Sequence, residues 1–172
     1  MGSGPGIEIE RKFLVRSDDW RRDADDGILI RQGYVVNGDP SLRVRLKGDR
    51  GFLTVKAGKS WRARREYEYE IPAADARDML DNLCPPPILE KRRHKLTHGG
   101  RIWEIDVFAG ANAGFILAEV ELESADAAVA IPDWAGPEVT DDPRFFNAYL
   151  ARRPFRTWGV TYAALLQSLE GR

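Results

Sequence analysis

Ile7-Glu8-Ile9-Glu10-Arg11-Lys12-Phe13-Leu14-Val15 opens with alternating apolar and charged residues. Successive side chains of a β-strand point to opposite faces, so Glu8, Glu10 and Lys12 share one face of an extended segment. The same period of two recurs at Arg43/Arg45, Thr54/Lys56, Glu66/Glu68/Glu70, Lys91/Arg93, Glu104/Asp106 and Glu119/Glu121. The sign of the charge sorts by strand, with acids gathered on some and bases on others.

Extended segments are expected over residues 7–15, 28–36, 41–47, 52–57, 64–71, 88–96, 101–108 and 115–123. Turn chemistry separates many of them, as at Asn37-Gly38-Asp39-Pro40, Gly48-Asp49-Arg50-Gly51 and His98-Gly99-Gly100. Linkers this short favour hairpins and an antiparallel sheet, and eight strands suffice to close a barrel. Helices are expected after Ser17, after Pro72 (with Ala76, Met79, Leu80 and Leu83 on one stripe), after Asp142-Pro143 and after Thr161. Residues 1–6 are rich in Gly, Ser and Pro and read as a flexible lead or tag. Residues 7–172 read as a single domain.

The 26 Lys and Arg nearly balance the 27 Asp and Glu, for a formal net charge of -1. That balance lacks the basic footprint of a nucleic-acid binder. The one cysteine, Cys84, allows no intramolecular disulfide and reads as a small buried hydrophobe. No apolar run approaches a membrane span, and no signal peptide is evident, so a cytoplasmic location is expected. The oligomeric state is left between monomer and homodimer.

An ordinary solvated sheet face would intersperse signs to limit like-charge crowding. Carboxylates brought together repel unless cations compensate them, so segregation by sign points to a site. A membrane β-barrel also alternates, but Arg11, Glu90 and Arg92 have outward parity and would be costly in lipid. Carboxylate oxygens are the hard ligands that Mg²⁺ and Mn²⁺ prefer, whereas Arg and Lys bind phosphate oxygens. A cavity lined by both suits a triphosphate clamped with divalent cations. His94 and His98 have no zinc-site spacing and read as strand and turn residues. There is no G-x-x-x-x-G-K-[ST] loop and no Gly-x-Ser-x-Gly elbow.

Glu8-Ile9-Glu10-Arg11-Lys12 matches the E-x-E-x-K opening of the CYTH domain, or triphosphate tunnel metalloenzyme, superfamily. The later pairs Arg43/Arg45, Thr54/Lys56, Glu66/Glu68, Lys91/Arg93, Glu104/Asp106 and Glu119/Glu121 follow in family order. The chain resembles the small stand-alone bacterial inorganic triphosphatases. The resemblance implies a mainly β (α+β) fold, a closed eight-stranded antiparallel β-barrel forming a polar tunnel with flanking helices. It further implies Mg²⁺ or Mn²⁺ at Glu8, Glu10, Glu119 and Glu121, with Asp106 of the neighbouring acidic strand as a further metal-binding residue. Lys12, Arg43, Arg45, Lys56, Lys91 and Arg93 would hold phosphate, joined by Arg64, which shares the parity of Glu66. Glu8, Glu10, Lys12, Glu66 and Glu68 form the expected catalytic set.

The implied reaction is hydrolysis of inorganic triphosphate to pyrophosphate and phosphate. Adenylyl cyclase, thiamine triphosphatase and a non-catalytic polyphosphate binder use the same constellation and stand as alternatives. The substrate is therefore inorganic triphosphate or a nucleoside or organic triphosphate, with neither nucleic acid nor membrane as a partner.

Overall fold

The computed structural model describes residues 6–7 as backbone, and residues 9–58 and 65–170 in full. Its strands are β1 (Gly6–Ile7), β2 (Ile9–Val15), β3 (Ile28–Val36), β4 (Ser41–Lys47), β5 (Arg50–Ala57) and β6 (Arg65–Ile71). They continue with β7 (Leu89–His98), β8 (Arg101–Ala109), β9 (Ile116–Leu122) and β10 (Ala135–Glu138). Three α-helices are α1 (Ala73–Asn82), α2 (Asn147–Arg152) and α3 (Tyr162–Glu170). Their starts follow the expected signals: Pro72 precedes α1, and Thr161 Oγ1 accepts from Ala164 N at 3.2 Å to cap α3. After Ser17 the chain makes only a single 3₁₀ turn, Asp19–Arg22, and Asp142-Pro143 likewise opens a 3₁₀ turn before α2.

The sheet has 10 strands in the order β1-β6-β5-β4-β3-β7-β8-β9-β2-β10, all antiparallel. Strands β2 to β9 are the eight long ones expected. The hydrogen-bonded ladder is not a closed ring among the described residues. Chain continuity curls it: Ile7 pairs with Arg65 of β6, while Ile9 pairs with Leu122 of β9. The opening segment thus touches both sides of the sheet within a few residues.

The outward faces are covered by apolar layers. Phe13, Val15, Trp103, Ile105, Ala118 and Val120 pack with Trp20 and Trp134, and Trp20 and Trp103 are wholly buried. His94, expected as an exposed strand residue, is instead half-buried, with its ring 5.1 Å from that of Trp20. Helix α1 lies over β4 and β5 through Ala76 and Leu80. It comes so close that a Cβ on Gly51 would stand 2.8 Å from the Ala76 Cβ. Leu83, on the expected stripe, is 53% exposed because the helix has ended.

A third cluster enters the inward parity. Leu14, Leu89, Phe108 and Leu117 are buried with Phe115, Phe145, Leu150, Phe155 and Leu165. The inward face is therefore apolar over part of its length, plugged by the segment that carries α2 and α3. Tyr162 ties this segment to the sheet: its hydroxyl accepts from Val15 N at 2.7 Å and lies 2.9 Å from Ile116 O. Burial pushes its phenol pKa up, so the hydroxyl stays a donor as well as an acceptor.

Tyr162→Phe removes that link while keeping the ring. Chemical denaturation is expected to show a loss of about 1–2 kcal/mol, from the lost bond and the main-chain groups left unsatisfied.

Candidate active site

The register explains how so much charge can face inward. Inward bases occupy β5, β4 and β7, and β3, whose inward residues are neutral, lies between β4 and β7. Acidic strands flank this block: Lys56 stands opposite Glu66, Arg93 opposite Asp106, Lys95 opposite Glu104 and Lys12 opposite Glu119. These pairs offset part of the segregation by strand, while Glu104 opposite Glu119 and Glu10 opposite Glu121 remain like-charge pairs.

Two connected ion-pair groups result. In the first, Lys12 Nζ lies 2.6 Å from Glu10 and 2.5 Å from Glu119. Arg93 reaches Glu119 at 2.8 Å and Asp106 at 2.7 Å, and also bonds Glu104. Lys91 Nζ stands 2.5 Å from Asp106 and 3.1 Å from Asn147 of α2. In the second, Arg43 meets Glu68 at 3.3 Å and Glu66 at 3.6 Å, with Thr54 Oγ1 donating to Glu68 at 2.8 Å. Lys56 joins Glu66 at 3.0 Å. Glu10, Lys12, Arg43, Lys56 and Glu66 together line one cavity of about 390 Å³, with Tyr34, Ser41 and Asn147.

Charge states follow from burial and neighbours. Burial works against the Lys12 ammonium, yet Glu119 and Glu10 outweigh it and hold its pKa above the usual lysine range. Burial likewise opposes ionised Glu119 and Asp106. Lys12 and Arg93 overcome it at Glu119, and Arg93 and Lys91 at Asp106, so both pKa values are lowered. Lys91 is wholly buried, and despite Asp106 its pKa falls to about 8. Arg45 is lowered to about 10 by burial and by repulsion from Arg43 and Arg93. Three guanidinium groups crowding one another is an environment that an anion relieves.

Thus nine residues expected at the site share the inward face and its ion-pair groups: Glu10, Lys12, Arg43, Lys56, Glu66, Glu68, Lys91, Arg93 and Glu119, with Arg45 beside them on the same face and bonded to Gln32. Asp106 is also brought there, wholly buried and clasped by two bases. Glu121 is the register partner of Glu10 but is exposed. Glu8 and Arg64 lie outside the described residues. Among the described residues no three His, Cys, Asp or Glu side chains converge as an ion cage.

Sequence reasoning missed two partners of these residues. Gln32, wholly buried on β3, has its Oε1 accepting from Arg45 Nε at 3.3 Å. Its parity within 28–36 was the available signal. Asn147 had none, because it reaches Lys91 from a helix on the far side of the chain's last crossing. Cys84 is buried and its thiol pKa is raised by burial, in keeping with a packing role.

A model of the CYTH domain matches residues 6–146. The inorganic triphosphatase of Acetivibrio thermocellus is 45% identical over 154 residues, spanning 89% of this chain and 98% of the relative. That of Nitrosomonas europaea is 40% identical over 154 residues, spanning 84% of this chain and 96% of the relative. A crystal structure of an inorganic triphosphatase superposes with a TM-score of 0.63 at 36% identity, covering 87% of this chain and 97% of that one. The family match and the inward-facing acids and bases lead to one assignment: this chain belongs to the CYTH domain family.

Proposed function

We propose that the chain is a divalent-metal-dependent hydrolase that converts inorganic triphosphate and water to pyrophosphate and phosphate. The observation that carries this reading is the inward face itself, where phosphate-binding cations and hard carboxylate donors surround one cavity. The names of the relatives at 45% and 40% identity support the choice of substrate.

The donor chemistry suits Mg²⁺ or Mn²⁺: Glu10 and Glu121 face each other in register, and Glu119 follows on the same face. These three carboxylates, with Glu8, are the proposed ligands, and Asp106 supports them through Arg93. A bound divalent cation supplies neutralisation of phosphoryl charge and activation of water. Arg43, Arg45, Lys56, Lys91 and Arg93 hold the phosphates that do not transfer, with Arg64 assigned to the same role. Lys12 shields the terminal group from the surrounding carboxylates. Glu66 and Glu68 orient Arg43 and Lys56, and we assign them the positioning of the attacking water. That water's oxygen bonds to the terminal phosphorus, the bridging P–O bond breaks, and pyrophosphate leaves.

Turnover of inorganic triphosphate, ATP and thiamine triphosphate with Mg²⁺ or Mn²⁺ decides the substrate. Inorganic triphosphate is expected to be fastest, and equal or faster ATP turnover overturns the reading. Cyclic AMP with pyrophosphate as products would select the cyclase chemistry instead.

Substitutions separate the roles. Glu10→Ala is expected to lower kcat by about a hundredfold or more, at roughly 3 kcal/mol of transition-state stabilisation. Arg43→Ala is expected to act mainly on KM.

The ion pairs also set acid stability. The folded state holds Glu119 and Asp106 below their unfolded pKa values, so it binds fewer protons than the unfolded chain. Their stabilisation is complete above the usual carboxylate range and is lost as pH falls through the folded values. Urea midpoints measured from pH 7 to pH 3 are expected to drop steeply below about pH 4.5. Glu119→Gln is expected to flatten that slope.

A further inference from the structure

We propose that Gln32, which shares a face of β3 with cavity-lining Tyr34, is a phosphate-contacting residue: its carboxamide nitrogen donates to an oxygen of bound triphosphate while its Oε1 holds Arg45. The inference rests on the triphosphate reading above and adds a neutral donor to the basic residues already assigned.

Four buried side-chain nitrogen atoms among the described residues lack a hydrogen-bond partner. Trp20 Nε1 and Trp103 Nε1 belong to the outer apolar layer. The other two, Gln32 Nε2 and Arg43 Nε, belong to inward residues of the paired strands β3 and β4. Gln32 stands opposite Arg45 and Tyr34 opposite Arg43, so Gln32 and Arg43 are diagonal neighbours on one face. Two unsatisfied buried groups side by side are uncommon in folded proteins, where such groups nearly always find partners.

The orientation of the amide is settled by its neighbour. Arg45 Nε–H can only donate, so the atom it meets at 3.3 Å is the amide oxygen, which leaves both amide hydrogens without an acceptor. Both orphans are donors, and the surrounding groups include Arg43 and Arg45. An oxygen of an anion satisfies the pair, whereas another cation or an apolar group does not. A neutral amide suits this position for a second reason. Arg45 is already pressed by Arg43 and Arg93, and a further positive charge would deepen that repulsion. Gln32 adds a donor to the anion without adding charge.

Calorimetric titration with inorganic triphosphate in EDTA, which stops turnover, tests the proposal on the full chain. Wild type, Gln32→Glu, Gln32→Leu and Arg43→Ala are compared, with thermal melting as the check on folding. Gln32→Leu is expected to weaken binding about tenfold while leaving the ligand-free melting temperature unchanged or raised. Gln32→Glu keeps an acceptor for Arg45 but loses the donor and adds an anion. It is expected to weaken binding further, on the order of a hundredfold. If Gln32→Glu binds as wild type does while Arg43→Ala loses affinity, Gln32 merely orients Arg45 and the proposal is overturned. If Arg43→Ala also binds normally, the triphosphate reading falls first. Should Gln32→Glu fail to fold, Gln32→Leu decides alone, and unchanged affinity overturns the proposal.

Discussion

The structure depends on neutralising charge on the inward face of a sheet. A lone buried carboxylate or ammonium is costly, and here eleven charged side chains are drawn into two connected groups. Register makes this possible, because Lys56 and Glu66, Arg93 and Asp106, Lys95 and Glu104, and Lys12 and Glu119 stand opposite each other across the ladder. A slip of one residue in any strand would turn its charges outward and its apolar residues inward. The charges and the apolar outer layers therefore specify the same register independently.

Stability and function draw on the same groups. Pairs of this kind contribute little net stability compared with apolar packing, although removing one partner is expensive. Stability comes instead from the apolar clusters outside the sheet and from the aromatic plug around Phe115, whose ring lies 5.2 Å from that of Phe108 and 5.3 Å from that of Phe155. The inward cations are held ready by carboxylates that incoming phosphates can replace. Little reorganisation of charge is then required on binding, since one set of counter-ions is exchanged for another.

Much of this was legible from residue order alone. Strands β3 and β4 fall at the expected bounds because period-two alternation and flanking turn residues agree there. Strand β10 was not foreseen: Ala135-Gly136-Pro137-Glu138 reads as a breaker, and only an edge position beside β2 tolerates its proline. The plug was hidden for a different reason. Leu14, Leu89, Phe108 and Leu117 have inward parity, and only the return of residues 139–165 across the barrel shows that this stretch is dry. At the site, the strand-borne charges declared themselves by alternation. Gln32 is neutral and Asn147 is helical, so neither carried a charge pattern that sequence could expose.

The split pairing of the opening segment has a consequence for how the molecule assembles. Lys12 and Glu119 are 107 residues apart in sequence, and β1 pairs with β6 through Gly6 and Glu66, so both sets of contacts are long-range. The hairpins β3–β4–β5–β6 and β7–β8–β9 need only local loop closure. The cavity is therefore absent from either half alone. Strands β3 and β7 join the two halves, and the opening segment adds contacts at both ends of the sheet, so the cavity's lining is drawn from β2, β4, β5 and β6 together.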